Sequence, residues 1–202
     1  MGDRRTEILD GALRVLAEQG MRGLTHRAVD AVAGIPQGST SYYFRSRSAL
    51  VMGCVERMLE LDLAIEAPAV CAVRNDHRAL VDVLVDTVVS LVTTQRYRTL
   101  ARYELSLAAM RDPQLRAALV CAGDTVRAFG AQMLRDLGVA DAARSAEELL
   151  AMLDGLLFTM LVRGPQEPAA IAEALGPSVE RAVRAQLGVS GTRTVAQGTE
   201  ES

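Results

Sequence analysis

Between Gln37 and Tyr43 the chain strings together Gln37, Gly38, Ser39, Thr40, Ser41, Tyr42 and Tyr43, with no acid among them. A solvated surface helix would carry Glu or Arg and avoid Gly, Ser and Thr, which are poor helix formers. These side chains suit the reading of a nucleic acid. A Gln amide can pair with adenine, Ser and Thr reach base edges or phosphates, and a Gly lets the backbone come close. Arg45 and Arg47 follow, where phosphate contacts are expected. Thr25 and Arg27 stand at the start of the preceding segment, whose free N–H groups can meet another phosphate. Tyr42 and Phe44 are expected as half-buried anchors, and Tyr43 as either anchor or reader. His26 either touches a phosphate or stays exposed, and His77, beside Asp76, is expected on the surface.

Two short elements must hold these residues. Thr25 is a good N-cap for a helix running to about Ala33, with Ala28, Val29 and Val32 facing inward. Gly34 allows a positive φ at the turn, Ile35 plugs the joint, and a second helix spans about Gln37–Phe44. Helices this short cannot persist alone in water and need their neighbours. The arrangement is a helix-turn-helix, whose second helix can lie in a major groove. The competing reading is a helical hairpin that only packs.

The succession Gly-Leu-Thr, Arg-Ala-Val, Ala-Gly-Ile-Pro, Gly-Ser-Thr, Tyr-Tyr-Phe-Arg-Ser-Arg and Ala-Leu resembles the DNA-binding head of TetR-family regulators. The resemblance spans residues 5–55. It implies a three-helix head joined by a fourth helix to a larger helical body. It also implies a homodimer held by the last two long helices and a ligand cavity in the body. By position it implies that Thr25, Arg27, Gln37, Gly38, Ser41, Tyr43 and Arg47 meet DNA. Many members have Tyr where this chain has Ser41, so a contact there is missing or shifted to Tyr42.

The remaining segments are read as helices. Residues 4–19 carry an apolar face (Ile8, Leu9, Ala12, Leu13, Leu16) and stop at Gly20. Ser46 can cap a helix over 47–66 that ends at Pro68. Helices follow over 77–94, 96–110 and 113–137, the last opened by Asp112-Pro113 and weakened by Gly123 and Gly130. Residues 143–163 are apolar nearly all round, and 168–187 are helical with a break at Gly176-Pro177. A helix apolar on both sides must be buried on both sides. Leu149, Met152, Leu153, Leu156, Leu157 and Met160, with Ile171, Leu175, Val179 and Val183, are therefore expected in a two-fold interface, against the alternative of a monomer core. For the cavity the expected residues are Arg102, Tyr103, Glu104, Phe129, Met133, Asp154 and Phe158.

Composition narrows the function. All 22 basic residues are Arg. Residues 1–50 hold seven Arg against five acids, and the rest 15 Arg against 20 acids. A mildly basic head on an acidic body fits a chain that meets nucleic acid with its head. The first apolar stretch carries Glu7, Asp10 and Arg14, unlike a signal peptide. Residues 79–92 are interrupted by Asp82 and Asp86. Residues 149–163 contain Asp154 and are too short to span a bilayer, so no membrane partner and a cytoplasmic location are expected. Cys54, Cys71 and Cys121 read as reduced core residues. With only two histidines, no CxxC or HExxH spacing and no phosphate loop, neither enzyme chemistry, metal nor cofactor is expected beyond a small-molecule effector.

The expectation is an all-α chain: a three-helix head over 1–46, a helical ligand-binding and dimerisation body over 47–187, and a disordered tail over 188–202. Its expected function is that of a ligand-responsive, homodimeric repressor, released from a double-stranded DNA operator by a small molecule. The alternative is an all-helical small-molecule binding or scaffolding protein without DNA affinity.

Overall fold

A computed structural model describes residues 3–72 and 76–188, without the side chains of 65–72. The tail beyond 188 and the Cys71 side chain lie outside the described residues. The described residues form helices α1 (Arg4–Gly23), α2 (His26–Val32), α3 (Ser39–Tyr43), α4 (Arg47–Ala72), α5 (His77–Val92), α6 (Arg96–Ala109), α7 (Pro113–Asp136), α8 (Ala142–Arg163) and α9 (Pro168–Gln186). They contain no strand. Side chains satisfy the helix starts as the sequence predicts. Thr25 accepts from Ala28 N–H, Ser46 from Ala49 N–H, and Asp112 from Gln114 and Leu115 N–H.

Three expected breaks differ. Gly20 interrupts the helical dihedrals of α1 without ending it, at φ 67° and ψ −175°. The Met21 N–H freed there donates to Glu104 of α6 at 2.9 Å, so the kink carries its own partner. Pro68 does not end α4, since one lost N–H does not stop a helix already propagated from Arg47. Pro177 lies inside α9 on its exposed side, where water can serve the orphaned carbonyl. On the opposite side Ile171, Leu175, Val179 and Val183 bind both halves of α9 to the body. The helix α7 runs unbroken through Gly123 and Gly130.

Two cores result. The first joins Ile8, Leu13 and Leu16 of α1, Val29 and Ile35 around the turn, Phe44, and Leu50, Cys54 and Met58 of α4 to Ala101 and Leu105 of α6. It is therefore not confined to residues 1–46. The first four helices and α6 share one interior, and α1 packs more on α6 than on any other helix. The second core joins α5, the end of α7, α8 and α9.

Several expected facings are corrected here. Val32 is exposed, and Ala33 packs inward in its place. Ile171, Leu175, Val179 and Val183 are 0–2% exposed within the chain, because α9 lies against α5. Leu149 and Leu153 are buried in the same core, while Met152, Leu156, Leu157 and Met160 are partly buried against it. The apolar side chains that α8 leaves exposed are Phe158 and Val162. Cys54 is buried, which pushes its thiol up to about 12, whereas Cys121 is exposed.

Candidate nucleic-acid interface and ligand cavity

The second helix of the helix-turn-helix is five residues long and cannot order itself. What holds it is Asp30, 3% exposed on α2. Its two carboxylate oxygens accept the Gly38 N–H at 2.7 Å and the Thr40 N–H at 2.8 Å. These are donors that a helix start leaves unpaired. Gly38 stands at the N-cap with φ 94°, a conformation that a side chain would strain. Burial works against a charge on Asp30, but the hydrogen bonds from Thr40 and Gly38 prevail and hold its carboxyl below the usual 3.8. Gly34, at φ 66°, makes the turn itself, as its position predicts.

At the other end of α3, His26 Nε2 donates to the Phe44 carbonyl at 2.8 Å. Phe44 is 3% exposed, with the Arg5 guanidinium 4.7 Å from its ring centre. The helix is thus clamped at its start by Asp30 and at its end by Phe44 and His26.

On this frame Gln37, Gly38, Ser41, Tyr42, Tyr43 and Arg45 are exposed, as are Thr25 and Arg27 at the start of α2. Tyr42 is 70% exposed and therefore no anchor; it meets Tyr43 edge-on at 5.3 Å, with Arg45 5.7 Å from its ring. Ser39 is half-covered, its hydroxyl donating to the Pro36 carbonyl at 2.6 Å. Two of the expected contact residues point elsewhere. Thr40 is fully buried behind α3, because its backbone is drawn onto Asp30. Arg47 donates from Nε to the Leu24 carbonyl at 3.2 Å and from Nη2 to the Met21 carbonyl. Its guanidinium thereby closes the loop between α1 and α2.

The body holds a cavity of about 550 Å³, open on one side and walled by α4, α5, α6, α7 and α8. Leu80, Leu84 and Val88 of α5 and Leu119, Val126 and Met133 of α7 make much of its lining apolar. Of the residues expected there, Arg102, Phe129, Met133 and Asp154 line it. Tyr103 and Phe158 do not: they stack edge-on at 5.8 Å on the outer side, and the Tyr103 hydroxyl sits 3.3 Å from Asp154 Oδ1. Burial first, then the Asp154 carboxylate, pushes the Tyr103 phenol up to about 12. Glu104 faces the other way, onto Met21.

Two side chains that sequence reasoning passed over matter here. Asp62 lines the cavity and binds Arg98 and Arg102 of α6 at 2.8 and 2.7 Å. It falls in the row Val51, Val55, Met58, Asp62, so an acid on an apolar stripe was the available signal. Asp30 is the single acid between Glu18 and Glu56, and that isolation was its signal. Among the described residues no group of three or more His, Cys, Asp or Glu is placed to hold a metal ion, and no helix is long and apolar enough to cross a membrane.

Known proteins share this arrangement. Residues 8–53 match the family model described as bacterial regulatory proteins, tetR family, and residues 75–189 match the tetracyclin repressor-like C-terminal domain. The HTH-type transcriptional repressor KstR2 of Rhodococcus jostii (strain RHA1) is 37% identical over 42% of this chain, an alignment that spans 41% of KstR2. The HTH-type transcriptional repressor Rv1474c of Mycobacterium tuberculosis (strain ATCC 25618 / H37Rv) is 29% identical over 88% of this chain and 94% of its own. The crystal structure of the multidrug binding protein EbrR complexed with ethidium superimposes with a TM-score of 0.61 at 30% identity, covering 88% of this chain and 98% of that one. With the clamped helix-turn-helix in the first match and most of the cavity wall in the second, the chain belongs to the TetR family of DNA-binding transcriptional regulators.

Proposed function

We propose that this protein is a homodimeric repressor that a small molecule releases from its operator. The observation that carries the reading is the shared interior of head and body. The helices α4 and α6 pack against the head in one core, and the same two helices wall the cavity. A ligand that alters their spacing alters the placement of α3. Release then requires only that the ligand bind better to a conformation with the heads wrongly spaced, a coupling of about 1–3 kcal/mol. The EbrR relative is complexed with ethidium, which supports reading the cavity as an effector site. Two copies of α3 would enter successive major grooves about 34 Å apart.

The direct test is footprinting on the DNA upstream of the protein's own gene. A protected, near-palindromic site is expected; absence of protection there and across a genomic library would leave a binding protein without DNA affinity. Within such a site Gln37→Ala should relax the preference at one base pair per half-site, at a cost of roughly 1–3 kcal/mol. Unchanged discrimination across operator variants would remove Gln37 from base reading. The set that remains for DNA contact is Thr25, Arg27, Gln37, Gly38, Ser39, Ser41, Tyr42, Tyr43 and Arg45.

For the dimer, the exposed pair Phe158 and Val162, one turn apart on α8, is the surface that a second copy would cover. Phe158→Glu should yield folded monomers in sedimentation. A persisting dimer would move the interface to another face.

A further inference from the structure

One charged cluster at the cavity wall, Asp62 with Arg98 and Arg102, does not balance within itself, and its excess charge names a ligand class. Asp62 is one carboxylate facing two guanidiniums. It accepts from Arg98 Nη2 at 2.8 Å and from Arg102 Nη2 at 2.7 and 2.8 Å. Arg98 is 1% exposed, and its Nε is buried without a partner. Its Nη1 donates to Gln95, a neutral amide that offers no charge. Arg102 lines the cavity with its side chain 32% exposed, and its Nε and Nη1 have no partner among the described residues. Guanidiniums stay protonated, so the cluster keeps one unit of positive charge beside apolar walls. Uncompensated charge in such a place is costly, and an anion would relieve it.

The other charged lining groups do not supply that anion. Arg127 is engaged at 2.6 Å by Asp124 of its own helix. Glu147 and Asp154 of α8 are exposed and have no ion pair with Arg98 or Arg102. Much of the remaining lining is leucine, valine and methionine.

We infer that the cavity takes an amphipathic monoanion, an apolar body ending in a carboxylate that accepts the free Nε and Nη1 donors of Arg102. A planar fork and a carboxylate match two hydrogen bonds at a time. The volume suits a ligand of medium size, of the kind such pockets enclose. The inference rests on reading the cavity as an effector site, and its test is made without DNA so that the two can fail separately.

The probes are decanoate, decan-1-ol and decyltrimethylammonium, which share one alkyl tail and differ in head charge. Calorimetric titration of the full chain should give decanoate an affinity at least about tenfold above both others, the range that a charged hydrogen-bonded contact brings. Arg102→Gln should abolish that preference while leaving decan-1-ol binding and the melting temperature near those of the wild type. Arg102→Lys, keeping the charge without the fork, should retain part of it. Equal or weaker binding of decanoate in the wild type, or no binding, overturns the assignment whatever the variants do. A preference that survives Arg102→Gln also overturns it. Release of the DNA upstream of the gene by decanoate is measured separately by anisotropy. Binding without release would leave the anion site standing and count against the repressor mechanism alone.

Discussion

Asp30→Ala should cost the protein about 2–4 kcal/mol and with it most of its DNA affinity, though Asp30 is itself buried. The carboxylate accepts two N–H groups at the start of α3, and both bonds gain from its charge. Removing it strands the Thr40 N–H in a buried site and frees Gly38. A five-residue helix has no internal reserve to absorb the loss. The melting temperature should fall by roughly 5–10 °C, and DNA binding by tenfold or more, while the body keeps its ligand affinity. Asp30→Asn should fall between, since its amide oxygen can keep one bond and its NH2 then faces the other donor. The pH dependence carries a fixed sign. The folded pKa lies below the ordinary 3.8, so the stabilisation is complete above that value and is lost as the pH falls through the folded one. Wild type should therefore lose its advantage over Asp30→Asn only below about pH 4. A melting temperature of Asp30→Ala within about 2 °C of wild type, with full DNA binding, would show that α3 is held by something else.

The parts of this site that were legible in the sequence are those whose chemistry is local. Gly34 must turn, Thr25 must cap, and a run from Gln37 to Tyr43 without acids must be there for some reason other than solubility. Each is a statement about a few consecutive residues, and the structure honours each in its backbone. The facing of single residues was not legible, because it depends on partners far along the chain. Thr40 reads as a contact residue from its type, yet it is turned inward by a carboxylate ten residues away. Arg47 reads as a phosphate ligand from its position, yet its donors close on the Met21 and Leu24 carbonyls. Glu104 and Tyr103 are sequence neighbours of Arg102, but a helix sends consecutive side chains some 100° apart, so only Arg102 lines the cavity. Helix stops were misjudged in one direction only. Pro68 reads as an end and Gly176-Pro177 as a break, yet a proline forfeits one helix bond, and at Pro177, on the exposed side of α9, water can replace it.

Leu175→Asp should unfold the body rather than separate two subunits, and this distinguishes the two readings of α9. In sequence, Ile171, Leu175, Val179 and Val183 form an apolar stripe with nothing to say what covers it. In the structure α5 covers it, and Leu175 has no exposed surface. Truncating a buried leucine costs about 2–5 kcal/mol from lost contacts and the cavity left behind. An aspartate adds the cost of placing a carboxylate inside this apolar core. The sum is on the order of 5 kcal/mol or more, comparable to the whole stability of an ordinary domain. Urea titration should find the variant largely unfolded at 25 °C and at every protein concentration. Phe158→Glu, on the exposed side of α8, should keep a cooperative urea transition at 25 °C, with a midpoint lowered only by the lost dimer contacts and independent of protein concentration, and should halve the mass in sedimentation. If Leu175→Asp instead gave compact, folded monomers, the stripe would belong to the interface and the packing of α9 on α5 would be wrong. The two variants lie on neighbouring helices and differ in what covers the residue, so the comparison separates core from contact surface without needing DNA or ligand.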